Sequence, residues 1–236
     1  MIPVNHFLTS YSLAVLFLAT SPGHVLKMSY SDAISMAYRK TKATELRKEA
    51  RRRTLLEAAI RIFSGCGYHT ATVPMIVAEA NRSVGSFYTY FRNKEDIFAT
   101  ILETIGGKIA VVIRESRESL SDPLLQMQSA QEAGFIYLAK NPQEARILFV
   151  ESSGLSPRLE QMRRAIFRQQ ADECCKTMLA NPEVFSTGNP AVAARCVVGS
   201  VCEALCCWLE ESPNNRLSAA EVACAVVDFN YRASLR

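Results

Sequence analysis

Apolar residues recur in this chain every three or four positions, which is the spacing of one face of an α-helix. The longest such stripe lies in the middle of the chain and consists of Phe98, Ile101, Ile105, Ile109 and Val112. No stretch alternates apolar and polar residues with β-branched enrichment between turn residues, which is the pattern of a strand. The hydrophobic pattern therefore predicts an all-α fold.

Helix starts are marked by a capping residue followed by proline, because the capping side chain accepts a helical N–H bond and proline has no N–H to satisfy. Four such pairs divide the second half of the chain: Asp122-Pro123, Asn141-Pro142, Ser156-Pro157 and Asn189-Pro190. Ser218 and Glu221 have the spacing of a reciprocal capping box. These signals predict about nine helices, over residues 44–64, 73–80, 84–91, 94–119, 123–140, 142–152, 157–180, 190–211 and 219–234.

The segment from Thr72 to Phe91 has the pattern of a helix-turn-helix. Thr72 and Ser83 stand where they would cap two short helices, and Asn81 stands at the turn, where asparagine tolerates a left-handed backbone. The second helix carries small side chains that let its backbone approach a DNA groove, namely Gly85, Ser86 and Thr89. This pattern predicts a helix that reads double-stranded DNA.

Positive charge is concentrated around this segment. Twelve Lys or Arg residues but only four Glu lie between Arg39 and Lys94, whereas the whole chain has a net charge of +4. Such an asymmetry is expected when one domain faces a polyanion, although a solvated helix face is the alternative. The residues before and early in the first helix form a basic arm that follows DNA or only aids solubility: Arg39, Lys40, Lys42, Arg47, Lys48 and Arg51 to Arg53.

An ordered set of residues carries a family resemblance: Gly67-Tyr68, Thr72-Val73, Ile76, Glu79-Ala80, Ser83, Gly85, Phe87-Tyr88, Tyr90-Phe91 and Lys94-Glu95. Over about fifty residues, 51–102, the chain resembles the N-terminal domain of the tetracycline-repressor (TetR) family. It departs from the family at the turn, where Asn81-Arg82 replaces the usual Gly-Val. The resemblance implies a three-helix DNA-binding domain, residues 39–100, and a helical ligand-binding and dimerisation domain, residues 101–236.

The resemblance also implies roles for individual residues. Thr72, Tyr88 and Lys94 are expected to contact phosphates, which fixes the position of the protein on DNA. Base edges or sugars are expected to meet recognition-helix residues, namely Val84, Ser86, Thr89 and Tyr90. Gly85 is included because it permits close approach. The two tyrosines are alternatively plain surface residues, whereas Ile76, Val77, Phe87 and Phe91 are expected in the core.

In the second domain, apolar side chains suggest a ligand cavity or, equally well, a solid core: Phe135, Tyr137, Phe149, Met162, Phe167 and Met178. The last two helices carry a candidate dimer surface: Val197, Val198, Val201, Leu205, Trp208, Leu209, Val222, Ala223, Val226 and Val227. Gly106-Gly107 within a helix indicates a bend or close packing. The resemblance implies a homodimer that represses from a palindromic operator and is released by a small apolar or amphipathic molecule; activation is the alternative.

Residues 1–38 form a leader that we expect to be disordered or a mis-assigned start, with a signal peptide as the alternative. Its apolar run of seven residues, 13–19, is too short to cross a membrane. The eight cysteines lie mostly in apolar helices, which favours reduced thiols and a cytoplasmic protein without membrane partners.

We expect no enzyme, cofactor or metal site. The chain has only three His and lacks hydrolase-elbow, phosphate-loop and zinc-protease motifs. Cys202 and Cys206 lie four positions apart on one helix face, which is a weak signal for a metal or redox site. A purely structural, protein-binding helical module is the remaining alternative.

Overall fold

The computed structural model describes residues 30–212 and 216–234, with side chains from Ala43 onward. The chain divides into two compact units, Met1–Lys48 and Glu49–Arg236. The described residues form nine α-helices and one π-helical turn, with no strand: α1 Tyr30–Thr70, α2 Val73–Glu79, α3 Val84–Tyr88, α4 Lys94–Arg117, α5 Pro123–Lys140, α6 Pro142–Arg146, the π turn Ile147–Glu151, α7 Pro157–Ala180, α8 Pro190–Glu210 and α9 Ala219–Ser234. The predicted all-α class is confirmed.

Helix α1 extends beyond its predicted bounds at both ends. It begins at Tyr30 rather than near Thr44, because no Gly or Pro interrupts the sequence between those positions. The rest of the predicted leader, residues 1–29, lies outside the described residues. Near its other end, α1 continues past Ser64 and its helical path breaks at Gly67, whose φ of 81° and ψ of 161° favour glycine.

The helix caps in the first half of the chain follow local chemistry. Thr72, Ser83 and Asn93 each accept a hydrogen bond from a backbone N–H three residues on, at 3.4, 3.2 and 2.8 Å. The two caps predicted from sequence, Thr72 and Ser83, are therefore confirmed. They fix where α2 and α3 begin.

The later caps follow the same rule with one exception. Asp122, Ser156 and Asn189 cap α5, α7 and α8 as predicted, and the Ser218–Glu221 capping box forms with bonds of 2.8 and 3.2 Å. Asn141 stands at the predicted start of α6, directly before Pro142, and its carbonyl accepts a bond from the Ala145 N–H at 3.0 Å. Its side chain makes no capping bond, because its amide donates to the carbonyl of Tyr137 at 2.7 Å.

One continuous apolar core runs through the unit Glu49–Arg236. Its fully buried side chains include Phe63, Phe87 and Phe98 near α1–α4 and Phe135 and Leu148 farther along the chain. A smaller cluster surrounds Met127, Met178 and Phe185. The predicted boundary between residues 100 and 101 falls inside α4, whose buried face contributes to the continuous core.

Gly106 allows two helices to approach closely. A Cβ atom there would lie 2.8 Å from Cγ1 of Ile166 on α7, whereas one at Gly107 would meet nothing within 4 Å. Both glycines lie within a single helix, Lys94–Arg117. Of the two explanations offered by the sequence, close packing holds at Gly106.

Candidate DNA interface and ligand cavity

The turn between α2 and α3 is a Schellman motif, in which a left-handed residue ends a helix. Asn81 has φ of 50°, its N–H donates to Ala78 at 3.0 Å, and the N–H of Arg82 donates to Val77 at 2.8 Å. The prediction that Asn81 makes the turn is confirmed. Arg82 is exposed, so its guanidinium needs no place in the core.

Helix α3 separates an outward face from a buried one. Val84 and Tyr88 are 44% and 57% exposed, Gly85 and Thr89 are also exposed, and Ser86 is half-buried. Phe87 and Phe91 lie in the core at 0% and 2% exposure, together with Ile76 and Val77, as predicted. Tyr90 is half-buried against this core and therefore offers less surface than the other predicted contacts.

The acidic residues beside this face are paired with arginines. Arg61 donates to Glu79 at 2.6 Å, and Arg92 donates to Asp96 through its backbone at 3.0 Å and its side chain at 3.3 Å. The backbone bond is the main reason why the pKa of Asp96 is lowered. Arg82 makes no ion pair with any described residue. The surface around α3 thus keeps free positive charge while its carboxylates are compensated.

Lys94 has structural partners that sequence reasoning missed. Its ammonium donates to the carbonyls of Tyr68, Ala71 and His69 at 2.7, 3.0 and 3.4 Å and lies 4.4 Å from the centroid of the Tyr68 ring. All three donors are therefore occupied in binding the end of α1. The only sequence signal was the joint occurrence of Gly67-Tyr68 and Lys94-Glu95.

The π turn contacts the same end of α1. Glu151 Oε2 accepts a hydrogen bond from the Tyr68 N–H at 3.1 Å, and its Oε1 accepts one from Arg146 Nε at 3.2 Å. A Cβ at Gly67 would lie 3.1 Å from Oε2, so glycine also makes room for this carboxylate. Glu151 and Lys94 thus both contact one short segment, Gly67–Ala71.

An apolar cavity of ≈ 100 Å³ lies among α4, α5, the π turn, α7 and α8. Of the predicted ligand residues, Phe149 and Phe167 line it, with near-parallel rings 5.6 Å apart. Phe135 and Met162 do not. Phe135 is 1% exposed and packs edge-on against Trp208, and Met162 packs against the main core.

Two other predicted cavity residues lie elsewhere. Tyr137 donates to Glu144 at 2.5 Å; burial, followed by this bond, raises its pKa. Met178 is buried in the smaller core. The cavity instead includes polar side chains that the apolar pattern had no means of indicating: Arg117, Gln131, Gln170, Glu173 and Thr177.

Gln131 connects the cavity to the last two helices. Its Oε1 accepts a bond from Asn230 at 2.6 Å, and Asn230 accepts one from Ser200 at 2.8 Å. Gln131 and Asn230 are only 9% and 3% exposed, so each needs its partner. This buried network joins α5, α8 and α9.

The thiols beside the cavity are protonated. Burial raises the pKa of Cys174 to about 11 and that of Cys202 to about 12. Within the described ranges the cysteines are free, and no three His, Cys, Asp or Glu residues converge on a common metal position. Both thiols fit packing roles.

The outer face of α8 and α9 carries both apolar and charged residues. Of the predicted dimer surface, Val197, Leu205, Trp208 and Ala223 are buried within the chain, and the other predicted residues are half-buried. The exposed apolar residues and thiols of these helices include Val192 at 50%, Phe229 at 64%, Cys196, Cys207 and Cys224. By length and composition α8 would suffice to cross a membrane, a test that core helices also pass.

Residues 55–101 match the family model described as bacterial regulatory proteins, tetR family. Over these residues the chain is similar to the tetR family. The matched segment runs from the buried part of α1 into the first half of α4, so it includes the turn at Asn81 and the exposed face of α3. The match agrees with the resemblance seen in the sequence.

Two relatives match in sequence over part of their length. HbdR of Aromatoleum sp., an HTH-type transcriptional regulator, is 36% identical over 76 residues, which are 32% of this chain and 33% of HbdR. NicS of Pseudomonas putida, an HTH-type transcriptional repressor, is 28% identical over 133 residues, 56% of this chain and 63% of NicS. The chain therefore matches less than two thirds of either relative.

Solved structures extend the similarity in fold to most of the chain. FadR from Bacillus halodurans, a fatty acid degradation regulator, has a TM-score of 0.70 at 18% identity, covering 77% of this chain and 94% of FadR. FadR from Bacillus subtilis, in complex with stearoyl-CoA, has a TM-score of 0.67 at 19% identity, covering 76% of this chain and 97% of that FadR. AibR, in complex with isovaleryl coenzyme A and operator DNA, has a TM-score of 0.65 at 18% identity, covering 76% of this chain and 97% of AibR. These similarities show a shared fold.

Proposed function

We propose that this tetR-family chain is a ligand-responsive transcription regulator, which binds a palindromic operator as a homodimer and represses until a small molecule releases it. The observation that carries the proposal is the α3 surface, where buried Phe87 fixes a helix whose exposed Val84, Tyr88 and Thr89 face outward. A protein of this kind acts in the cytoplasm on double-stranded DNA and needs no catalytic residue, cofactor or metal.

In this proposal the DNA contacts divide into two groups. Thr72, Tyr88 and Lys94 bind phosphates, while recognition-helix residues meet base edges or sugars, namely Val84, Ser86, Thr89 and Tyr90. Gly85 keeps the backbone of α3 close to the groove. Because the Lys94 ammonium is occupied by carbonyls, the direct phosphate bond would come from the Lys94 backbone N–H, the first of α4, at the positive end of the helix dipole. The ammonium would attract the same phosphate through its charge, without a direct bond.

The role of Lys94 is tested by Lys94→Ala. Loss of the ammonium releases the carbonyls of Tyr68, His69 and Ala71, so the thermal midpoint should fall, and binding to all duplexes should weaken alike. Because a positive charge is removed beside a phosphate, the slope of log affinity against log salt should decrease by roughly one unit. An unchanged slope in protein that remains folded would contradict a contribution of the Lys94 charge to phosphate binding and leave only the structural role.

A dimer suits this function, since one recognition helix reads few base pairs and a two-fold pair reads a palindrome. Exposed apolar side chains on α8 and α9 support this part of the proposal, and the largest of them are Phe229 and Val192. Phe229→Glu should convert a dimer to monomers in analytical ultracentrifugation. Leu125→Glu, which changes an exposed apolar residue of α5, is the matched control and should leave the dimer intact.

The π turn offers a route for the ligand signal. Leu148 and Phe149 line the cavity, and Glu151 in the same turn holds the Tyr68 N–H beside Lys94. A ligand that displaces Phe149 would shift the turn, and with it the end of α1 and the start of α4. The ligand acts only through different affinities for the two arrangements. The acyl-CoA complexes of FadR and AibR support a small-molecule effector for this fold.

The proposed function is tested by selecting duplexes from a random library with the full-length chain. We expect enrichment of a two-fold symmetric sequence whose affinity falls steeply with salt. Placing that sequence across a promoter should then lower transcription when the protein is present. Failure to enrich any sequence would contradict the proposal, and increased transcription would contradict repression.

A further inference from the structure

A second space adjoins the apolar cavity, namely an open cleft of ≈ 440 Å³ formed by residues of α7, α8 and the π turn. Four side chains border both spaces: Phe149, Phe167, Val198 and Cys202. Because these side chains border both spaces, a molecule that displaces one of them, such as Phe149, can place one end in the cavity and the other in the cleft. The two spaces are therefore neighbouring parts of one candidate site.

The cleft, unlike the cavity, is cationic. Its charged residues are Arg163, Arg168, Arg195 and Glu203. Arg163 is compensated, because it donates to the carboxylate of Glu160 at 2.8 and 3.1 Å. Arg168 and Arg195 are exposed and make no ion pair within the described part of the chain. We call this space the arginine cleft; it offers two unpaired guanidinium groups to an anion.

The size of the cavity limits the apolar end of an occupant. A cavity of about 150 Å³ holds a six-carbon aromatic ring, and this one measures ≈ 100 Å³. By the same ratio it suits a group of about four carbon atoms, so the rest of a longer chain would extend toward the cleft. The larger cleft is open to solvent, so it places no such limit on the polar end.

We infer that the effector is an anionic amphiphile, with a short apolar group in the cavity and a phosphate- or carboxylate-bearing head in the arginine cleft. Guanidinium groups suit such heads, because their N–H donors form paired, charge-assisted bonds with either anion. Arg168 and Arg195 hold the head, and Phe149 and Phe167 flank the point where the molecule passes between the spaces. This inference rests on the proposed function, since it names the class of the small molecule.

Three six-carbon probes separate the contributions of the head group in calorimetry with the full-length chain. Hexanoyl-CoA carries phosphates, hexanoate carries a carboxylate, and 1-hexanol carries no charge. At least one anionic probe should bind ten times more tightly than 1-hexanol or better, and the tighter of the two identifies the head. Equal or tighter binding of 1-hexanol, or no binding of any probe, would overturn the inference.

The arginines are tested with the double variant Arg168→Gln/Arg195→Gln. The matched control, Arg53→Gln/Arg114→Gln, removes the same charge from exposed positions outside the cleft. The first variant should bind the preferred anionic probe roughly ten to a hundred times more weakly, with 1-hexanol unchanged, and the control should bind like the wild type. Equal affinities of the two variants would overturn the inference.

Two further measurements need no variant. Affinity for the anionic probe should fall as salt rises, whereas affinity for 1-hexanol should not. Equal salt dependence of the two affinities would contradict binding of the anionic head in the arginine cleft. Coenzyme A alone should bind at least ten times more weakly than hexanoyl-CoA if phosphate is the head, and equal binding contradicts use of the cavity. Sequence-selective duplex binding by the same sample separates failure of this inference from failure of the proposed function.

Discussion

Two parts of the unit Glu49–Arg236 are packed differently. In the reading bundle, which we define as residues 55–102, Phe63 and Phe98 pack edge-to-face at 5.0 Å and, like Phe87, are 0% exposed. In the sensing bundle, residues 103–234, a cavity of ≈ 100 Å³ and the buried pair Gln131–Asn230 interrupt the apolar packing. A solid core resists rearrangement, whereas a cavity leaves side chains room to move.

This difference matches a division of labour. A recognition helix must present one fixed surface to DNA, while an effector site must accept a ligand and change. Glu151 of the sensing bundle reaches the reading bundle by accepting the Tyr68 N–H, whereas Lys94, which binds the Tyr68 carbonyl, belongs to the reading bundle itself. Variants that affect each bundle separately test whether the contrast holds.

The largest effect is expected from the reading bundle. Phe87→Ala removes a fully buried ring from close packing and should lower the free energy of unfolding by about 3–5 kcal/mol. Phe167→Ala should cost less, because that side chain already borders a cavity and is half-buried. Urea denaturation measures both. A cost for Phe167→Ala as large as that for Phe87→Ala would remove the contrast in packing.

The glycine pair tests the sensing bundle at a single contact. Gly106→Ala forces a methyl group against Ile166 and should destabilise by about 1–3 kcal/mol. Gly107→Ala faces open space and should stabilise the helix by up to about 1 kcal/mol. Thermal unfolding of the two variants provides the comparison, with each serving as the control for the other. Equal midpoints would mean that α4 and α7 do not meet closely at Gly106.

Glu151→Ala tests the connection between the bundles. Removing the carboxylate frees the Tyr68 N–H, so the ligand should change operator affinity less than in the wild type. Coupling between two sites is typically 1–3 kcal/mol, or about 5–150-fold, and most of that factor should disappear. Operator titrations with and without hexanoyl-CoA or hexanoate measure it. Arg146→Ala, which leaves the Tyr68 bond in place, is the control; full coupling in Glu151→Ala would exclude this route.

The smallest effect concerns the thiols. With a pKa of about 11, Cys174 has only about one thiolate in a thousand at pH 8, and Cys202, at about 12, has fewer. Both should react with iodoacetamide much more slowly in the folded protein than in urea-unfolded protein, with the rates in the folded protein rising as pH approaches the raised pKa values. Peptide mass spectrometry resolves the two sites. Equal rates in the folded and unfolded protein would indicate that the cavity is open to solvent.

Much of the reading bundle was predictable because its structure depends on local chemistry. Thr72 and Ser83 cap the helices that follow them, and Asn81 takes the left-handed turn, each through bonds to residues three or four positions away. The partners of Lys94 were not predictable, since its ammonium binds carbonyls 23 to 26 positions earlier. Only the packed fold brings these groups together.

The sensing bundle was predictable as helices but not as a site. Phe135 and Phe149 look alike in sequence, yet Phe135 packs on Trp208 while Phe149 lines the cavity. The choice depends on how distant helices cross, which helical periodicity does not specify. The polar lining and the arginine cleft were missed for the same reason, because their residues come from separate helices.

The central claim is that the α3 surface binds DNA, and operator affinity of Tyr88→Ala tests it most directly. Tyr88 is 57% exposed, so its removal should leave the fold intact; Leu125→Ala, at an exposed position on α5, is the control. Fluorescence anisotropy with the selected duplex should show at least a tenfold loss for Tyr88→Ala, about 1.4 kcal/mol or more, and no loss for the control. Wild-type affinity in folded Tyr88→Ala would contradict the claim.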